Sequence, residues 1–128
     1  MKPNLLKNVY AAVVALFVAM FAMPTTTKAQ VAYDLAIAGK KVTSANCNDL
    51  SVIDGVSGTV TYDPDTKTLT LDNATIKTTA DQSLGLGIDN STDGLNIRLI
   101  GNNVLSSERS GGIYTYYQLT FTGEGKLT

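Results

Sequence analysis

The feature that most constrains the fold of this chain is a short stretch in which apolar and polar residues alternate and a glycine follows, and this stretch occurs twice. The stretch "LNIRLIG", beginning at Leu95, and the stretch "YQLTFTG", beginning at Tyr117, carry the same pattern 22 residues apart. Apolar residues at every second position are typical of half-buried β-strands. Repeats of roughly 20–30 residues, each with a turn, indicate strands stacked coil upon coil.

Similar alternations begin at Tyr33, Val60 and Leu69, and almost no helical periodicity interrupts them. Thr, Ser, Asn and Gly supply 40 of residues 30–128, and Pro64 is the only proline in that range. The sequence therefore predicts an all-β fold.

Two antiparallel hairpins are predicted before the coils begin. Residues 58–72, in "GTVTYDPDTKTLTLDNATI", divide around Asp63-Pro64-Asp65-Thr66. Proline presets φ for the second position of a tight turn, and aspartate caps the local backbone. A weaker hairpin, "YDLAIAGKKVTS", turns at Gly39. The hairpins occupy residues 33–76 and the coils residues 77–128.

Each coil is predicted to contain a polar or glycine corner. Asn73 and Asn102 fall at equivalent corners, with Glu124 at the third, and Ile76 and Leu105 are 29 residues apart. Stacked asparagines can hydrogen-bond into a ladder. A solenoid of such coils needs polar caps at both ends, yet the chain stops at Thr128, just after a strand. We expect either a fragment, which is the favoured interpretation, or a partner that covers the open β edge.

The first 29 residues have the pattern of a secretory signal peptide. Lys2 and Lys7 precede an apolar run, Val9–Met23, and Ala29 closes the segment. Because this 15-residue run is shorter than the roughly 18–20 residues of a membrane-spanning helix, cleavage is favoured over an uncleaved anchor. The mature domain, residues 30–128, is then secreted, on the cell surface or periplasmic, without stable membrane insertion.

The net charge limits the kinds of ligand that the domain can bind, and the cysteine content limits its covalent crosslinks. Residues 30–128 contain seven basic and eleven acidic residues, a net charge of −4. A mildly acidic domain without basic runs is a poor nucleic-acid binder. Cys47 is the only cysteine, so the domain has no internal disulfide. Its thiol is either a small buried hydrophobe, the favoured interpretation, or a reactive or intermolecular group.

The chain resembles a family of secreted bacterial carbohydrate-binding proteins of the pectin-binding type, over residues 33–128 and over only the opening portion of the family's usual length. The resemblance is carried by "YDLAIAGKKVTSANC", "GTVTYDPDTKTLTLDNATI", Gly87-Ile88, Gly112-Ile113, "LIGNNVL" and "LTFTGEGKLT". It implies a right-handed parallel β-helix that binds an acidic, pectin-like polysaccharide, with bound calcium. Related β-helices include polysaccharide lyases.

One loop resembles a calcium-binding loop. Asp89, Ser91 and Asp93 occupy positions one, three and five, and Gly94 position six, of an EF-hand-like pattern. Position twelve is Ile100 where a glutamate is needed. The loop is therefore either a solvated turn, which the mismatch favours, or a weak calcium site completed by a neighbouring coil.

Tyr114, Tyr116 and Arg98 are the candidate carbohydrate-binding residues. In a strand, Tyr114 and Tyr116 share a face, and aromatic rings with polar tips suit sugar rings. Ordinary β-propensity explains strand tyrosines equally well. Tyr117 aligns with Leu95 and is expected to pack inward. Arg98 is expected to point outward, in contact with solvent unless a ligand occupies that face.

The residues favour a non-catalytic protein. Without histidine, Ser-His and Cys-His nucleophilic systems and histidine-bound zinc are excluded. The leading interpretation is an exported polysaccharide-binding or adhesin-like module. The alternatives are a structural or interaction protein whose open β edge pairs with a partner chain or itself, and, less favoured, a fragment of a polysaccharide lyase relative.

Overall fold

The computed structural model describes residues 29–79, 86–109 and 111–128, and these residues form an all-β structure. Residues 1–28 of the predicted signal peptide lie outside these ranges. The strands are β1 (Ala32–Ile37), β2 (Lys40–Thr43), β3 (Val56–Asp63), β4 (Thr68–Thr78), β5 (Ile88–Asn90), β6 (Leu95–Ile100), β7 (Asn102–Ser107), β8 (Ile113–Thr115), β9 (Leu119–Thr122) and β10 (Lys126–Leu127), with one turn of 3₁₀ helix at Leu50–Val52. Across the described ranges, no helix has the length and apolar character to span a membrane.

Both predicted hairpins are confirmed. β1 and β2 pair antiparallel around Ala38 and Gly39, whose φ angles of 48° and 78° fit the two-residue turn that matches strand twist. β3 and β4 pair antiparallel from Val56 opposite Ile76 down to the turn at Pro64. In that turn, the Asp63 carboxylate accepts a hydrogen bond of 2.9 Å from the Asp65 backbone N–H, the local capping that aspartate provides.

Parallel pairing begins at β4, which is bent at Asn73, a residue with a φ of 46°. The half of β4 before the bend pairs with β6 and the half after it pairs with β7. β5, β6 and β7 pair in turn with β8, β9 and β10, always in parallel. Residues 88–107 and 113–127 are thus two successive repeats, which form a curled parallel sheet.

The register of the second repeat differs from the predicted one. Ile97 lies opposite Phe121 and Asn102 opposite Lys126, so equivalent residues are 24 apart and the predicted spacing of 22 is wrong. Tyr117 consequently lies outside the stack, with 52% of its surface exposed. Glu124 likewise does not occupy the corner of Asn102. The 29-residue offset predicted for the preceding repeat is confirmed by the pairing of β4 with β7.

A single apolar core lies between the two sheets. The four-stranded sheet runs β2-β1-β5-β8, and the larger sheet runs β10-β7-β4-β6-β9, with β3 on the other edge of β4. Inward residues of both sheets belong to one buried cluster, among them Leu35, Ile37, Val60, Leu69, Leu71, Ile76, Ile88, Leu95 and Ile97. Cys47 is part of this cluster, which confirms its prediction as a small buried hydrophobe. Packing between sheets, rather than disulfides, holds this domain together.

Candidate functional site

The outward surface of β3, β4, β6 and β9 is a polar sheet face, here called the threonine face. Backbone pairing sets Thr61 beside Thr70, Thr70 beside Arg98 and Arg98 beside Thr122. The four side chains form one row across four strands, because directly paired residues point to the same side of a sheet. Neighbouring positions in such a row are about 4.8 Å apart.

A shallow groove of about 490 Å³ runs over this face. It is lined by Thr61, Asp63, Thr66, Thr68, Thr70, Asn96 and Arg98. The Asn96 side-chain oxygen accepts a hydrogen bond of 3.0 Å from the Thr122 hydroxyl. The side-chain NH₂ group of Asn96 can then donate hydrogen bonds to a ligand. The groove therefore offers hydroxyl, amide, carboxylate and guanidinium groups on one surface.

Arg98 is the cationic group of the threonine face. It lies on β6 between buried Ile97 and Leu99, and its own side chain is exposed, as the alternation predicts. Among the residues that the structure describes, its guanidinium forms no hydrogen bond or ion pair. A planar guanidinium with free N–H groups is suited to bind a carboxylate through two parallel hydrogen bonds.

Tyr114 and Tyr116 are brought together, although Tyr116 lies just beyond the end of β8 and not on a shared strand face as predicted. Their ring centroids are 5.0 Å apart at an interplanar angle of 88°, the edge-to-face geometry that aromatic pairs prefer. The hydrogen bond that the Tyr116 hydroxyl donates to Tyr114 raises the pKa of Tyr116, and the nearby Asp89 carboxylate raises it further. Both rings are exposed, so together they form an aromatic patch with polar tips.

The aromatic patch and Arg98 belong to different sheets. β8, which carries Tyr114, pairs with β5 in the four-stranded sheet, whereas Arg98 lies on β6 in the larger sheet. The candidate carbohydrate-binding residues thus belong to two surfaces, and no pattern in the sequence distinguishes them. The threonines beside Arg98 were also missed, although Thr61 and Thr70 alternate with buried residues in the pattern that marks an outward row.

The predicted calcium loop, residues 89–94, forms a turn held by hydrogen bonds. The buried Asn90 side chain accepts from the Thr92 N–H at 2.8 Å and donates to the Thr115 hydroxyl at 3.0 Å. The Ser91 N–H donates to the Asp34 carbonyl, and the Asp93 carbonyl accepts from the Lys67 ammonium at 3.0 Å.

These contacts fix the backbone of the loop. No group of three or more His, Cys, Asp or Glu side chains comes together in the described part of the chain. Hydroxyl and carbonyl ligands also suit calcium, so the site at Asp89, Ser91 and Asp93 stays a prediction.

Comparison with known proteins yields no matching family model, no similar curated protein and no similar solved structure. The functional conclusions therefore depend on the geometry described above.

Proposed function

We propose that this protein is a non-catalytic, exported polysaccharide-binding module of the adhesin-like kind. Its repeats would form a right-handed parallel β-helix, and its ligand would be an acidic, pectin-like glycan. The observation that carries the proposal is the free guanidinium of Arg98 within a groove of hydroxyl and amide groups. Carboxylate recognition by arginine and hydroxyl recognition by threonine and asparagine together match the chemistry of a uronic acid polymer.

The geometry of the threonine face suits an extended sugar chain. Side-chain rows repeat across the strands about every 4.8 Å, close to the length of one sugar unit in an extended polymer. A chain lying across β3, β4, β6 and β9 would meet one polar side chain per unit. Tyr114 and Tyr116, which belong to the other sheet, would supply a separate binding surface by stacking. Calcium, bound near Asp89 and Asp93, would offset repulsion between an acidic ligand and a protein of net charge −4.

Binding of polygalacturonate by the full chain, produced in a host that exports it, tests the proposal. Removal of the guanidinium in Arg98→Ala should weaken binding about tenfold or more, because hydrogen bonds to charged groups contribute about 1.5–3 kcal/mol. Arg98→Lys should retain only part of the affinity, since lysine keeps the charge without the planar fork. Lys77→Ala, which removes an exposed cation from β4, is the matched control and should bind like the parent protein.

Isothermal titration calorimetry with polygalacturonate and with a neutral polysaccharide separates the outcomes. Loss of affinity in Arg98→Ala but not in Lys77→Ala supports a specific carboxylate contact. Equal losses in both variants would mean that only net charge matters. Failure of the parent protein to bind polygalacturonate, with and without calcium, would exclude the proposal.

A further inference from the structure

The outward side of the four-stranded sheet carries a row of side chains of its own. Backbone pairing sets Lys41 beside Ala36, Ala36 beside Asp89 and Asp89 beside Tyr114. Directly paired residues point to the same side of a sheet, about 4.8 Å apart. Ile88, which precedes Asp89 in β5, is fully buried, so the row faces away from the core.

The Asp89 carboxylate lies next to two aromatic rings. Tyr114 is its direct neighbour in the row. Tyr116 lies just beyond β8, but its N–H donates to the Asn90 carbonyl at 3.0 Å, which holds this residue against the end of β5. The hydrogen bond to Tyr114, and then the charge of Asp89, raise the pKa of Tyr116, as expected for a carboxylate close to both rings. We call Asp89, Tyr114 and Tyr116 the tyrosine–aspartate patch.

The negative charge of this patch has no cation beside it. Across the described ranges, the Asp89 carboxylate forms no hydrogen bond or ion pair. Lys41, the cation of the row, is two strands away, roughly 10 Å, with Ala36 between them. Asp34, exposed on β1 and on the same side as Ala36, adds a second negative charge. The outward side of this sheet therefore attracts cations and repels carboxylates at the patch.

We propose that the tyrosine–aspartate patch binds an amino sugar, with the protonated amine of the sugar at Asp89 and its ring on the tyrosines. The apolar face of a sugar ring packs on an aromatic ring. An ammonium group is attracted both by a carboxylate and by the face of a tyrosine. A uronic acid would instead place its carboxylate against Asp89, so this surface takes a different sugar from the Arg98 groove and does not depend on that groove.

The shape of the aromatic pair favours a sugar over the lysine side chain of a protein partner. Tyr114 is 46% exposed and Tyr116 is 67% exposed, and their rings meet at an interplanar angle of 88°. Such a corner can contact a sugar ring both on its face and along its edge. A narrow aliphatic amine fills only one of these two contacts.

Isothermal titration calorimetry with a short glucosamine oligomer tests the assignment on the full chain, produced in a host that exports it. Mildly acidic buffer protonates the sugar amines, and a chelator removes calcium that would compete for Asp89. An N-acetylglucosamine oligomer of equal length is the control ligand, because it keeps the rings and lacks the charges. The parent protein should bind the charged oligomer at least about tenfold more tightly.

Asp89→Asn keeps the size of the side chain and removes its charge. It should raise the dissociation constant of the glucosamine oligomer about tenfold and abolish the preference over the acetylated form. Asp72→Asn is the matched control, because Asp72 is also half-buried on a strand, but its cross-strand neighbours Thr59 and Ile100 carry no aromatic ring. This control should bind like the parent protein.

Variants of Tyr116 test the aromatic contact. Tyr116→Leu should weaken binding of the glucosamine oligomer about threefold or more, whereas Tyr116→Phe, which keeps the ring, should stay within about twofold of the parent. Arg98→Ala should leave this binding unchanged, so failure of the Arg98 groove and failure of the patch are distinguished. Circular dichroism establishes that each variant keeps its β-sheet.

Four results would each overturn the proposal. They are equal affinity for the two oligomers, equal losses in Asp89→Asn and Asp72→Asn, full affinity in Tyr116→Leu, and equally tight binding of a lysine oligomer of the same charge. The last result would identify the patch as a surface for cations of any kind.

Discussion

Asn103 connects three successive levels of the stack through one side chain. It is only 1% exposed. Its oxygen accepts from the Ala74 N–H at 2.8 Å, and its nitrogen donates to the carbonyls of Ile100 at 3.1 Å and Lys126 at 3.2 Å. Backbone groups at a bend have no ladder partner, so a buried side chain that satisfies three of them stabilises the corner.

Replacement of this side chain should destabilise the fold strongly. Asn103→Ala leaves the buried Ala74 N–H and two part-buried carbonyls without this partner, and we expect a loss of about 3 kcal/mol in the free energy of unfolding. Asn102→Ala is the control, because Asn102 is exposed and should lose less than about 1 kcal/mol. Urea denaturation followed by circular dichroism measures both. Equal losses in the two variants would show that the Asn103 hydrogen bonds contribute little.

The sequence predicted asparagines at the corner between strands, but not which asparagine makes the buried hydrogen bonds there. Asn73 and Asn102 do occupy equivalent corners, and the Asn73 side-chain oxygen accepts from the Asn102 backbone N–H at 3.2 Å. The buried bonding group is the adjacent Asn103. Gly101, with a φ of 67°, bends the strand, and alternation of inward and outward residues does not continue through such a bend. Which residues face inward after the bend depends on the geometry of the bend, and the amino-acid sequence alone does not predict that geometry.

The hairpin of β3 and β4 contains a bulge that requires glycine. The register shifts between Ser57 and Thr59, and Gly58 between them has a φ of 79°. A side chain on Gly58 would overlap the backbone of Asn73 and Ala74. The bulge thus lies directly against the bend of β4 from which the parallel pairing starts.

Gly58→Ala should therefore destabilise the hairpin by about 3 kcal/mol, the sum of a left-handed backbone and a clash with backbone atoms that cannot rotate away. Gly94→Ala isolates the first contribution, because Gly94 also has a positive φ, 77°, but a Cβ there meets nothing within 4 Å. We expect a loss of about 1–2 kcal/mol for that control. Thermal unfolding of both variants compares them. A similar melting temperature for the two would mean that the bulge relaxes without cost.

The tight turns could be predicted from the sequence, whereas the register between distant strands could not. The turns at Gly39 and Pro64 follow from residues that determine their own φ angles. The pairing of β6 with β9 has no such determinant, since any shift by two residues keeps the alternation of apolar and polar positions. Gly123 and Gly125 both offer a corner. The observed register places Leu119 and Phe121, rather than Tyr117, in the inward row.

Across the described strands, the number of strand neighbours falls from β4 to β9, so local stability should follow that order. β4 has a strand neighbour on each side. β6 also has two neighbours, β4 and β9. Within the part of the chain that the structure describes, β9 has one strand neighbour, β6, and a half-exposed Phe121. In stacked repeats, stability is approximately a sum of each repeat's own contribution and its interfaces, so a repeat with a neighbour on one side only opens most easily.

Hydrogen exchange of the backbone amides tests this order. The amides of β9 should exchange at least about tenfold faster than those of β4, because β9 lacks a packing interface on one side, a contribution of about 1.4 kcal/mol. β3 is the internal control. In the described ranges β3 also has one strand neighbour, β4, but its Tyr62 N–H donates to the Cys47 carbonyl at 2.7 Å and its inward Val60 and Tyr62 are buried, so it should exchange more slowly than β9. Equal protection of β4, β6 and β9 would instead mean that the stack unfolds as one cooperative unit, with the second repeat as firmly held as the first.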